Sequence, residues 1–127
     1  MALRFLKKLN LSRNSIYFVW DLPVSLEQLN ISENLIGTLD PVVPRLVKLQ
    51  SLNLAHNHLS SVKSLSCIPH LKVLNISYNR LKTTNGLEGC SSLTEVDLES
   101  NDLETLTEFY SSTSLKLINL KNNPCIK

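Results

Sequence analysis

Three sets of side chains in this chain have the types to do chemistry. His56 and His58 flank an asparagine in "HNH", a spacing at which two imidazoles could offer nitrogens to a metal. No carboxylate or thiol converges in the same segment, so a metal role finds no support there. Cys67, Cys90 and Cys125 are odd in number, far apart and without a CxxC pair, which argues against both a disulfide framework and a zinc site. Glu95, Asp97 and Glu99 alternate in "EVDLE", so on a strand all three carboxylates face one way. The nucleophile-elbow, Walker, HExxH and GxGxxG patterns are absent. The reading is a non-catalytic chain with no cofactor and no metal.

The elements that must position these residues are set by a different side chain. In "LKVLNISYNRL", residues 71–81, Asn79 stands in a row of otherwise apolar positions, Leu71, Leu74, Ile76 and Leu81. The phrase recurs as "LKKLNLSRNSI", "LEQLNISENLI", "LQSLNLAHNHL", "LTEVDLESNDL" and "LKLINLKNNPC". Its first leucines fall at 6, 26, 49, 71, 93 and 115, steps of 20, 23, 22, 22 and 22. Six copies of L-x-x-L-x-L-x-x-N-x-L at a near-constant period define a repeat array.

The pattern resembles the leucine-rich repeat family, and the resemblance runs from Leu6 to Cys125. The 22-residue steps resemble its eukaryotic intracellular class, as in the regulatory subunit of protein phosphatase 1 and a dynein light chain. The first repeat, with "LPVSLEQL", is shorter and resembles the bacterial-effector type. Membership implies an α/β repeat, a right-handed solenoid of about six coils. It implies a short parallel β-sheet on the concave face, with turns and short helical segments on the convex face.

Elementary geometry accounts for the spacing independently. Leu74 and Ile76 lie two apart and point to the same side of a strand, into a core, while Asn75 points away. The return half of each coil supplies the opposite wall, from Val62, Leu65 and Ile68, then Leu87 and Cys90, then Leu106 and Phe109. Between the two walls the backbone turns inward and leaves peptide groups without ladder partners. An amide donates and accepts at once, so Asn14, Asn34, Asn57, Asn79, Asn101 and Asn123 should stack as a bonding ladder. Trp20 is expected to fill core at the first coil.

Three columns remain on the sheet side. Asn10, Asn30, Asn53, Asn75, Asp97 and Asn119 form a short polar one; its three N-x-[ST] sequons, at Asn10, Asn30 and Asn75, arise from the repeated phrase itself. Ser12, Ser32, Ala55, Ser77, Glu99 and Lys121 form a second, small over four coils and expected to leave room there for a partner to approach. Arg13, Glu33, His56, Tyr78, Ser100 and Asn122 form the third. Arg13, Glu33, His56 and Tyr78 are its partner-binding candidates, since Tyr and Arg are enriched where interface energy concentrates. The acidic strip Glu95, Asp97 and Glu99 is a further one, suited to steering a basic segment. Seven of the eleven acids lie between residues 88 and 108, in a stretch with no Lys or Arg.

Bulk properties bound the function. With 127 residues, 43% hydrophobic and 19% charged, the chain makes one domain, residues 1–127. A net charge of +2 and no basic, aromatic-interleaved face argue against nucleic acid, and no apolar run is long enough to cross a bilayer. Lys7 and Lys8 interrupt the start too early for a secretory h-region, so a cytoplasmic setting, with the nucleus as alternative, is expected. Little precedes Leu6, and "NNPCIK" leads to no capping segment. The expectation is therefore an N-terminal fragment of a longer protein, lacking its C-terminal cap. The function expected is a protein–protein interaction scaffold using its concave face, in a cytoskeletal, ciliary or centrosomal assembly. Alternatives are a targeting or oligomerisation module, self-associating through its ends, and a phosphatase-regulating or RNA-processing adaptor.

Overall fold

The computed structural model describes residues 3–105 and 114–125. Six strands of three residues form one parallel sheet in chain order: β1 Lys8–Asn10, β2 Gln28–Asn30, β3 Ser51–Asn53, β4 Val73–Asn75, β5 Glu95–Asp97 and β6 Leu117–Asn119. Each pairs with the next in strict register, so Leu9, Leu29, Leu52, Leu74, Val96 and Ile118 align across the sheet. The chain is a solenoid, as its repeat demands: a parallel neighbour is reached only by a full return coil.

Among the described residues the return wall is made of turns and three short 3₁₀ segments, Val43–Arg45, Lys63–Cys67 and Leu87–Gly89. Successive return segments pack backbone to backbone. Gly86, at φ 106°, enters the third of them where a Cβ would lie 2.5 Å from the Lys63 Cα. Only glycine fits there, both for its left-handed backbone and for that approach.

Between the walls lies one continuous apolar core from Val19 to Leu103. Val62, Leu65, Ile68, Leu87 and Cys90 are buried in it. Leu106 and Phe109 lie outside the described residues, as does the side chain of Cys67. At the two ends the core is less covered: Leu6, Leu9, Leu11 and Ile16, and likewise Leu115, Ile118, Leu120 and Cys125, are only partly buried. Trp20 departs from expectation. It is 69% exposed, with its ring tilted against Phe18 at 5.6 Å between centroids. Val19 and Leu22 of the same segment take the buried positions instead, and Trp20 is left on the outer side.

The asparagine row is an inter-coil stitch. Asn79 Nδ2 donates to the carbonyls of Leu54, Ile76 and Ser77 at 2.9, 3.2 and 3.1 Å, and its Oδ1 accepts the Leu59 N–H at 3.0 Å. Asn34, Asn57, Asn101 and Asn123 repeat the arrangement, their oxygens taking the N–H of Ile16, Ile36, Leu81 and Leu103 in the preceding coil. These five are buried; Asn14, on the outermost coil, is exposed and donates only to Leu11 and Ser12. The carbonyls are doubly served, since Leu54 accepts from both Asn57 and Asn79 and Ile76 from both Asn79 and Asn101. The N–H groups are served once. Truncating a ladder amide therefore strands a buried donor more than it strands acceptors.

Asn79→Ala should cost about 2 kcal/mol, the size of one unsatisfied buried donor with its cavity. Asn14→Ala, at an exposed position whose amide bonds only its own turn among the described residues, should cost about 0.5 kcal/mol or less. Chemical denaturation of the two variants checks this, and equal losses would show that the inter-coil bond is not what matters.

Candidate functional site

Past each strand the chain turns inward within four residues, and the residue before the ladder asparagine absorbs the turn. Arg13, Glu33, His56, Tyr78, Ser100 and Asn122 all have φ between 54° and 59°. Left-handed backbone costs a non-glycine residue roughly 1–2 kcal/mol, yet none of the six is glycine. The N–H of each of the first five donates to the next coil, for example His56 to Ser77 at 2.9 Å and Tyr78 to Glu99 at 2.8 Å. These bonds fix the conformation and aim the side chains along one line.

The third column thus lies in the turn rather than on the strand, where alternation alone would place it. Its members pair off. Arg13 Nε donates to Glu33 Oε2 at 3.3 Å, an exposed ion pair. His56 and Tyr78 stack face to face, centroids 4.3 Å apart and planes 7° from parallel. Tyr78, 44% exposed, donates its hydroxyl to Glu99 Oε2 at 2.9 Å.

The three acids differ from one another. Glu99 lies beyond β5 and accepts from Asn119 Nδ2 at 3.0 Å as well as from Tyr78. Those two bonds, Asn119's first, hold its carboxyl below the usual glutamate range, with Lys121 adding in the same direction. Asp97 Oδ1 accepts the Glu99 N–H at 3.0 Å. Glu95 is exposed and enters no ion pair among the described residues.

The other two columns are structural. Asn10, Asn30, Asn53, Asn75, Asp97 and Asn119 each accept the backbone N–H two residues on, at 2.9–3.2 Å, and so hold the turn from outside. Ser32, Ala55 and Ser77 are buried, and the two serine hydroxyls donate to Asn30 and Asn75 at 2.7 Å. At those three coils the small residues are buried rather than left open to an approaching partner, contrary to the expectation from residue size. A column the pattern did not single out does face solvent: Lys8, Gln28, Ser51, Val73, Glu95 and Leu117, aligned by strand register. Simple alternation from the inward leucine identifies it. A shallow groove of about 550 Å³ runs over β4–β6, lined by Val73, Asn75, Glu95, Asp97, Leu117 and Lys121 among others.

No group of three His, Cys, Asp or Glu among the described residues could hold a metal, and His56 is engaged with Tyr78. Burial, with a smaller contribution from Glu88, pushes the Cys90 thiol up to about 11, and it donates to the Leu65 carbonyl at 3.3 Å. It is packing, not a nucleophile. No described helix is long and apolar enough to cross a membrane.

A leucine rich repeat family model matches residues 24–81 and 47–103, well over half of the chain. The chain belongs to the leucine-rich repeat family. Among solved structures it is similar to the functional domain of InlJ from Listeria monocytogenes, which includes a cysteine ladder. That match has a TM-score of 0.84 at 24% identity, over 96% of this chain and 26% of that one. It is also similar to an internalin, InlF, from the same organism, with a TM-score of 0.74 at 27% identity, over 79% of this chain and 30% of that one. The chain thus spans less than a third of either structure. No curated protein matches it significantly in sequence. The ladder of this leucine-rich repeat is built of asparagine.

Because the Glu99 carboxylate is stabilised by its two donors, those bonds contribute above the ordinary glutamate value and are lost as pH falls through the lowered one. Carboxyl NMR titration should find Glu99 below the ordinary glutamate value. Tyr78→Phe should raise it only partway, because Asn119 still donates. An unchanged titration in the variant would show that the Tyr78–Glu99 bond does not persist in solution.

Proposed function

We propose that this chain is a non-catalytic protein–protein interaction scaffold that recognises its partner on the sheet face. The left-handed column Arg13, Glu33, His56 and Tyr78 carries recognition, with Glu95, Asp97 and Glu99 beside it. The observation behind this is the His56–Tyr78 stack, exposed on a backbone bonded to the coils on both sides. Such a platform loses little conformational entropy when covered, which favours binding. Family membership and the internalin likeness support a binding module over an enzyme.

The 22-residue period favours the eukaryotic intracellular class, and with it a cytoskeletal, ciliary or centrosomal assembly, or a phosphatase-regulating or RNA-processing one. The free thiols of Cys90 and Cys125 fit a reducing compartment, cytoplasmic or nuclear. The partly covered end coils favour a second reading, in which the chain self-associates or pairs with a remainder of its own protein.

Affinity capture from cell extract should compare the native chain with Arg13→Glu/Tyr78→Ala, after circular dichroism shows the variant folded. A protein retained by the native chain and lost by the variant is the expected result. Identical sets retained by both would contradict the sheet-face reading. A mass that rises with concentration equally in both would favour the ends.

A further inference from the structure

We infer that the sheet face over β4–β6 seats a lysine or arginine side chain of the partner protein, its charge on Glu95 and its methylenes on Val73 and Leu117. This rests on the sheet-face reading above and names what that face accepts. Val73 and Leu117 are 38% and 59% exposed, and strand register places them on either side of Glu95. With strands about 4.8 Å apart, the three form an apolar–carboxylate–apolar track roughly 10 Å long.

The neighbouring charges single out Glu95. Glu99 is engaged by Asn119 and Tyr78, and Asp97 by the Glu99 backbone. Lys121 lines the far side of the groove and its charge acts on Glu99. Lys72 and Lys116, which precede Val73 and Leu117 in sequence, form no ion pair with Glu95 among the described residues. A wholly apolar occupant would strip water from an unpaired carboxylate, which is costly. An acidic occupant would meet three carboxylates. Lysine and arginine alone combine an apolar stem with a cationic head, which is the complement of this track.

The test uses the ¹⁵N-labelled chain and two peptides, acetyl-Ser-Leu-Arg-Leu-Ser-amide and its analogue with neutral citrulline for arginine. The arginine peptide should shift the amides of Val73, Glu95 and Leu117, and the citrulline peptide should bind about fivefold more weakly, the scale of an exposed ion pair. Glu95→Gln, its spectrum otherwise unchanged, should abolish that difference, as should high salt. Equal binding of the two peptides, a preference that survives Glu95→Gln, or no shift at these amides with millimolar peptide would each overturn the inference. If a captured partner is lost by Arg13→Glu/Tyr78→Ala yet kept by Glu95→Gln, the sheet-face reading stands and this one falls.

Discussion

The inward asparagine amide is the interaction on which the solenoid depends. Each coil must leave its strand and turn toward the core, and a turn of that kind buries peptide groups that no sheet ladder can serve. One planar side chain meets several of them at once. Asn57 bonds Leu54 and Ala55 of its own turn, Ile31 of the preceding one, and the Ile36 N–H beyond it. Leucines fill the walls, but they are non-directional and would tolerate sliding between coils. The amides fix the step from one coil to the next.

That fixed step has a second effect. Because each turn is bonded on both sides, the residue before the asparagine can be held left-handed whatever its type, and its side chain is aimed without needing glycine. Arginine, glutamate, histidine and tyrosine occupy a conformation that they rarely choose for themselves. Variation at this position changes the surface and leaves the scaffold unaltered. A repeat that separates a bonding position from a displayed one can change partners without changing fold.

The ladder was legible because six asparagines recur at one period among leucines, and so was the strand register, which follows from the same alignment. The left-handed column was not, since nothing in Arg13 or Tyr78 marks a positive φ; only the asparagine after each hints at the turn. Size misled at Ser32 and Ser77, where small residues meant burial beneath the asparagine shelf rather than an open approach. Hydrophobicity misled at Trp20, because Val19 and Leu22 beside it take the inward positions of that segment. Glu95, Asp97 and Glu99 read as one acidic strip. The structure divides them by what already holds each carboxylate, and that depends on Tyr78 and Asn119, about 20 residues away on either side in sequence.

The claim that side-chain amides serve the buried turn N–H groups that backbone pairing leaves over is open to native-state hydrogen exchange. The amides of Ile36, Leu59 and Leu81 have Asn57, Asn79 and Asn101 as acceptors and take no part in the strand ladder. They should exchange as slowly as the strand amides, whereas Ile16, only partly buried, should exchange faster. Fast exchange at Ile36, Leu59 and Leu81 beside protected strands would mean that the ladder opens freely, and the account would fail at its base.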